Sequence, residues 1–309
     1  MEIVGVQNEF VRVSVVPELG CKVVSIYDIT NDHEWLWKDS NRPLRPAEFG
    51  TNYLNYDISG FDECFPNIGV SQHPLDPKIT LPDHGDLWSI PWDTTVEEFL
   101  ISSTVKGRSF PYVFSRQIQI EGQRIKFKYE VRNEGALNFA FMWSAHPLFN
   151  VAGAMSIVMN ESPQMTKEFS IGGRVGQDGP DGYFGQFQSY IWPTVQDHKG
   201  SEIDLSQIRL GRPIADKVVL DSPSDGKIEL RDLSSGRSLS FQLSPAEIPF
   251  IGICFNLGVV PSGNHPGTWV AIEPTSGCTD KLDDSYQRGA FSSLAPGDSL
   301  RWAYSIDLK

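Results

Sequence analysis

Hydrophobic and polar residues alternate with a period of two along most of this chain. Ile125, Phe127, Tyr129 and Val131 interleave with Lys126, Lys128, Glu130 and Arg132. Leu239, Phe241 and Leu243 interleave with Ser238, Ser240 and Gln242, and Trp302, Tyr304, Ile306 and Leu308 with Ala303, Ser305 and Asp307. Such alternation sends successive side chains to opposite faces of an extended strand, one buried and one nearer water. The same reading predicts strands at 10–16, 22–28, 98–105, 111–120, 137–143, 217–220, 227–231, 249–256 and 268–273. Glu121-Gly122, Asn133-Glu134-Gly135, Asp225-Gly226 and Ser235-Gly236 punctuate them as turns.

Helical periodicity is weak. Short helical turns are expected near 204–209 and 283–288, because no segment carries apolar residues at i, i+3, i+4 and i+7 for longer. The stretches 38–84 and 162–200, rich in Gly, Pro, Asn, Asp, Gln and Ser, read as long loops, and long loops in compact domains often carry function. There is no internal repeat, linker or low-complexity tract. The expectation is one all-β domain over 1–309, built as two packed antiparallel sheets.

Composition agrees with a globular chain. Of 309 residues 40% are hydrophobic and 21% charged, enough to bury a large core. The net charge is −13, without the clustered Lys and Arg that phosphate backbones or anionic membranes require, so nucleic acid and membrane are not expected partners. The oligomeric state is not legible. Cysteines stand far apart at 21, 64, 254 and 278, with no CxxC pair, and Cys254 lies inside an apolar run as a core residue. MEIVGVQNEF has no basic start before an apolar segment, and no run of ~18 apolar residues occurs, so a cytoplasmic protein with reduced thiols is expected.

Three segments can carry chemistry. In Pro82-Asp83-His84-Gly85-Asp86-Leu87-Trp88, a histidine sits among turn formers; its alternative is a loop histidine bonded to its neighbours. In Trp143-Ser144-Ala145-His146-Pro147-Leu148-Phe149-Asn150, the following proline holds His146 extended at a predicted strand end, a good place for a proton donor. A core histidine with a backbone partner is the other reading. In Trp269-Val270-Ala271-Ile272-Glu273-Pro274, Glu273 closes an apolar strand. A carboxylate there is costly unless paired in a salt bridge or used in chemistry.

Together these segments resemble the galactose mutarotase-like family, the aldose 1-epimerases. The matching residues are His84-Gly85, the His-Pro-x-Phe-Asn run at 146–150, and Glu273-Pro274 after an apolar strand, in this order and with wide spacing. The opening Pro17-Glu18-Leu19-Gly20-Cys21-Lys22-Val23-Val24-Ser25-Ile26, followed by Glu34-Trp35-Leu36-Trp37, extends the resemblance over nearly the whole chain. It implies a β-supersandwich with a cleft on one sheet and an activity that interconverts aldose anomers. By motif it implies Glu273 as the base on the anomeric hydroxyl, His146 as the acid on the ring oxygen, and His84 as a hydrogen-bonding partner of the sugar. One base and one acid on two oxygens of a ring need no metal and no redox cofactor.

The sequence departs from the family pattern in one place. Well-known members carry an Asn-Arg step before the first histidine, where this chain reads Gly60-Phe61-Asp62-Glu63-Cys64-Phe65-Pro66-Asn67. Asp62 or Glu63 can take over sugar contacts, since carboxylates accept bonds from hydroxyls; Glu63 is equally a turn residue. Arg42 and Arg45 match no motif and read as surface residues. Trp88, Trp143 and Trp192 are stacking candidates for a pyranose face, or core residues. With no arginine cluster beside the motifs, a non-phosphorylated sugar is expected ahead of a hexose 6-phosphate. Two further readings stand beside the isomerase: a non-catalytic carbohydrate binder of the same fold, and a metal-dependent hydrolase or lyase built around His84, Asp83 and Asp86.

Overall fold

A computed structural model describes residues 1–172, 174–176, 188–197, 199–261 and 266–309. Its two large sheets, of 13 and nine strands, are antiparallel throughout. The middle of the larger sheet runs, in spatial order, Lys22–Asp28, Phe61–Cys64, Ser144–Asn150, Thr268–Thr275, Phe250–Leu257 and Ile214–Asp221. The second sheet is centred on Tyr112–Glu121, Arg124–Asn133 and Ser299–Leu308.

The two sheets close on one core because their alternating apolar faces meet. Phe61, Phe149, Val218, Ile253 and Ile272 from the larger sheet share a buried cluster with Phe114, Phe127, Phe241 and Ile306 from the second. Phe61 and Phe127 bridge the layers with ring centroids 5.5 Å apart. Each such side chain is worth about 1.5–3 kcal/mol when fully buried.

Most predicted strands are present, with ends within a few residues of those expected. Three differences matter. The strand expected at 137–143 is only Phe139–Phe141, and a new strand starts at Ser144, so His146 lies inside a strand and not after one. The strand Phe61–Cys64 falls within an expected loop; all four of its residues are buried, so no alternation betrays it. Residues 204–209 form strand ends and not a helical turn, whereas the turn expected near 283–288 is the helix Leu282–Gln287. Within 162–200 the chain forms the strands Gln164–Ile171, Ser189–Ile191 and Thr194–Gln196, and residues 173, 177–187 and 198 lie outside the described residues.

The pairing of Ser144–Asn150 with Thr268–Thr275 holds at Ser144↔Thr275 and again at Leu148↔Ala271, and lapses between them. Pro147 lies in that gap and has no N–H to offer the ladder. Continuing the register from either end sets His146 across from Glu273. No helix among the described residues is long and apolar enough to cross a membrane.

Candidate active site

The outer face of the larger sheet carries His146, Glu273, Cys254 and Lys217 side by side on four strands. On the other flank of His146, Asp62 is its direct cross-strand partner. A cavity of about 360 Å³ opens over this face. His84, His146, Lys217, Glu273 and Asp280 line it together with Tyr53 and Trp269.

Glu273 is fully buried, yet its two oxygens differ. Oε2 accepts a hydrogen bond from Lys217 Nζ at 2.7 Å. Oε1 has no hydrogen-bond partner among the described residues and lies 3.8 Å from His146 Nε2. Burial pushes the carboxyl above its usual range, and Lys217 opposes that push. Gly252, directly across the ladder, gives the carboxylate its room: a Cβ there would stand 3.0 Å from Oε2.

His146 is 7% exposed. Burial, then the charges of His84, Lys217 and Lys22, push its imidazole well below the usual histidine range. Its ring meets the His84 ring edge-on, with centroids 5.2 Å apart.

His84 reaches the cavity from a strained turn. Its φ of 57° is in the left-handed region that side chains with a Cβ rarely enter. Three contacts hold it there: its N–H donates to the Ile68 carbonyl at 2.6 Å, its Nδ1 is 2.8 Å from Asp83 Oδ1, and its ring stacks on Tyr53. The next residue must be glycine, since Gly85 has φ 72° and a Cβ would collide with the Phe65 backbone. Burial works most strongly against the Asp83 charge, but the hydrogen bond and charge of His84 together with the Tyr53 N–H outweigh it and keep that carboxyl below its usual range.

The structure therefore brings Glu273, His146 and His84 into one cavity, and corrects five other expectations. Glu63 faces the core: it is 0% exposed and accepts bonds from Arg116, Tyr129 and Trp143 at 3.0, 2.9 and 2.8 Å. Trp143 is thereby a core residue too, because its indole is the Glu63 donor. Asp62 shares the cavity side of the sheet but is sealed beneath Tyr53. Its Oδ2 accepts from the Tyr53 hydroxyl and pairs with Lys22, each at 2.8 Å. Trp88 supports the histidine turn from below, donating to the Asp83 carbonyl and meeting Tyr53 edge-on. Trp192 is buried in the main core.

The tryptophan that lines the cavity is Trp269, whose indole N–H has no partner among the described residues. Sequence reasoning missed its exposure to the cleft, and missed Lys217, Asp280 and Tyr53 altogether. Arg42 and Arg45 bind backbone carbonyls of the Leu54–Tyr56 turn. Asp86 points away from His84 and is saturated by Arg108 N–H, Ser109 and Tyr112, which removes it from a shared ligand set. Among the described residues no three His, Cys, Asp or Glu side chains converge to hold a metal ion.

No protein-family model matches the sequence, and no curated protein matches it. Solved structures do. A galactose mutarotase related enzyme from Lactobacillus acidophilus superposes with a TM-score of 0.68 at 15% identity, over 100% of this chain and 97% of the other. A galactose mutarotase-like protein from Lactobacillus casei gives 0.68 at 16%, over 100% of both chains. One from Clostridium acetobutylicum gives 0.70 at 14%, over 99% of this chain and 95% of the other. The chain has the galactose mutarotase-like fold. Within that fold the cavity sits on the outer face of the larger sheet, bordered by the turn that carries His84.

Proposed function

We propose that this protein interconverts the α and β anomers of an aldose by acid–base ring opening. The reading is carried by one observation: the free Oε1 of Glu273 and Nε2 of His146 lie 3.8 Å apart on the floor of one cavity. A base and an acid that close can act on the anomeric hydroxyl and ring oxygen of a single pyranose.

Glu273 takes the proton of the anomeric hydroxyl. The O–H electron pair becomes the carbonyl π bond, the bond from the anomeric carbon to the ring oxygen breaks, and the ring oxygen takes a proton from His146. Rotation of the freed aldehyde and reversal of these steps give the other anomer. Ring opening thus moves one proton from His146 to Glu273 through the sugar. Burial favours the neutral form of both groups and so brings their proton affinities together, which lowers the cost of that transfer. His84, fixed by Asp83 and Tyr53, hydrogen-bonds the sugar, and Trp269 offers it an aromatic wall.

An uncharged aldose fits this cavity better than a phosphorylated one. Among the described residues, Lys217 is the Lys or Arg in its lining, and two carboxylates already meet its charge. A pure carbohydrate binder is the second reading, but a binder has no use for a proton donor and acceptor aimed at each other.

The test is the optical rotation, or anomeric-proton exchange by NMR, of fresh α-glucose and α-galactose with and without protein. Acceleration is expected, with losses of roughly 10²–10⁴-fold in Glu273→Gln and His146→Asn. No acceleration across a broad aldose panel would remove the isomerase reading and leave the binder.

A further inference from the structure

Lys217 belongs to no motif, yet its ammonium lies 2.7 Å from Glu273 Oε2 and 2.7 Å from Asp280 Oδ1. The three charges form a row, carboxylate, ammonium, carboxylate. The lysine side chain is 4% exposed, that of Glu273 1% and that of Asp280 19%. Asp280 is anchored from behind, because its carbonyl accepts from the Ile68 and Gly69 N–H groups.

We propose that Lys217 is a positioning residue for the ring-opening reaction and that Asp280 is its counterweight. Lysine selects which oxygen of Glu273 faces the substrate and keeps that carboxyl ionised; Asp280 limits how strongly it does so. This rests on the aldose reading above, in which Glu273 is the base.

A carboxyl buried alone prefers its neutral form, and a neutral carboxyl cannot take a proton. An ammonium in contact restores the charge. Held too firmly, however, the carboxylate becomes a poor base. Asp280 draws on the same ammonium from its far side and repels the charge on Glu273. Burial disfavours the charge on Lys217, but Asp280 and Glu273 together outweigh it and hold the lysine well above its usual range.

The other titratable groups facing Glu273 are His146 at 3.8 Å, His84, and the thiols of Cys254 and Cys64. Burial pushes both thiols well up, so they stay neutral. Among the described residues, Lys217 is the lysine or arginine that touches the carboxylate.

The two partners should act with opposite sign on the pH dependence of kcat/KM. Loss of the ammonium in Lys217→Met should move the acid limb to higher pH, on the order of one to two units. Removal of the counterweight in Asp280→Asn should move it to lower pH. Asp280→Asn should keep most of its rate above its displaced limb, and Lys217→Met should narrow the bell and lower its maximum, each with a smaller change in KM than in kcat below its limb. A lysine that only supports the fold would instead lower the rate by one factor at every pH. Limbs that stay in place, or move together, overturn the proposal.

Should the wild type accelerate no aldose, the aldose reading fails while the charge row remains testable. The Glu273 carboxyl can be titrated by ¹³C NMR in the wild type and both variants. Opposed displacements support the row, and coincident curves overturn it.

Discussion

The His84 imidazole stacks on the phenol of Tyr53, with centroids 4.0 Å apart and planes 16° from parallel. The same Tyr53 donates its hydroxyl to Asp62 and its backbone N–H to Asp83. One residue therefore seats the histidine with its ring and, through its backbone N–H and hydroxyl, ties the turn to the buried Lys22–Asp62 pair. Tyr53→Phe keeps the stack and loses the bond to a charged acceptor, so it should cost about 1.5–3 kcal/mol of stability with KM nearly unchanged. Tyr53→Leu loses the stack as well and should raise KM several-fold. Urea unfolding and sugar saturation curves separate the two, and equal KM values in both variants would dismiss the seating role.

The wild-type pH profile should be a bell centred on the acid side of neutrality. Its acid limb reports Glu273, which must be ionised and whose pKa burial raises from 4.5. Its alkaline limb reports His146, which must be protonated and whose pKa falls well below 6.5. Activity is lost as pH falls through the first and as it rises through the second, so the two shifts narrow the bell from both sides. A broad plateau through pH 8 in kcat/KM would contradict the assignment of His146.

Gly85→Ala should destabilise the protein by more than about 1 kcal/mol and reduce activity with it. It adds a Cβ at φ 72° against the Phe65 backbone. Gly122→Ala is the matched control, with φ 57° but nothing within 4 Å of the new Cβ. It should cost about 1 kcal/mol and leave the rate per folded molecule alone. Thermal melts and initial rates on the pair distinguish strain at the site from strain in general.

Arg116→Met should cost about 3–5 kcal/mol, because it strands the Glu63 carboxylate in the core with only Tyr129 and Trp143 as donors. The surviving folded molecules should keep the wild-type pH profile and KM. Denaturant midpoints and rates normalised to folded protein check both halves; a shifted pH profile would return Glu63 to the active site.

Much of this was legible in the sequence. Period-two alternation is a local property, so the strands at 112–121, 124–133 and 238–243 could be read from their own residues. The segments around His84, His146 and Glu273 could be read as well, because Gly and Pro beside a polar residue announce an unusual backbone. Partnership was not legible. Lys217 reads as the polar first residue of the strand expected at 217–220, and only the order of strands in the sheet reveals its contact with a carboxylate 56 positions away. Nor could Asp62 and Glu63 be told apart. Both are acids in a short, wholly buried strand, and the face each takes depends on the register with Ser144–Asn150.

That register has a consequence for how the chain reaches its native state. Asp62 meets Lys22 and Tyr53 on one side of the sheet, and Glu63 meets Arg116, Tyr129 and Trp143 on the other. A slip of one residue exchanges the two faces. Slipped one way, Cys64 would replace Glu63 beside Arg116; slipped the other, Phe61 would replace Asp62 beside Lys22 and leave that lysine Asp57 alone. Hydrophobicity alone would tolerate such an error in a strand this short. The two acid pairs thus penalise a slip in either direction and fix the alignment on which the cavity above them depends.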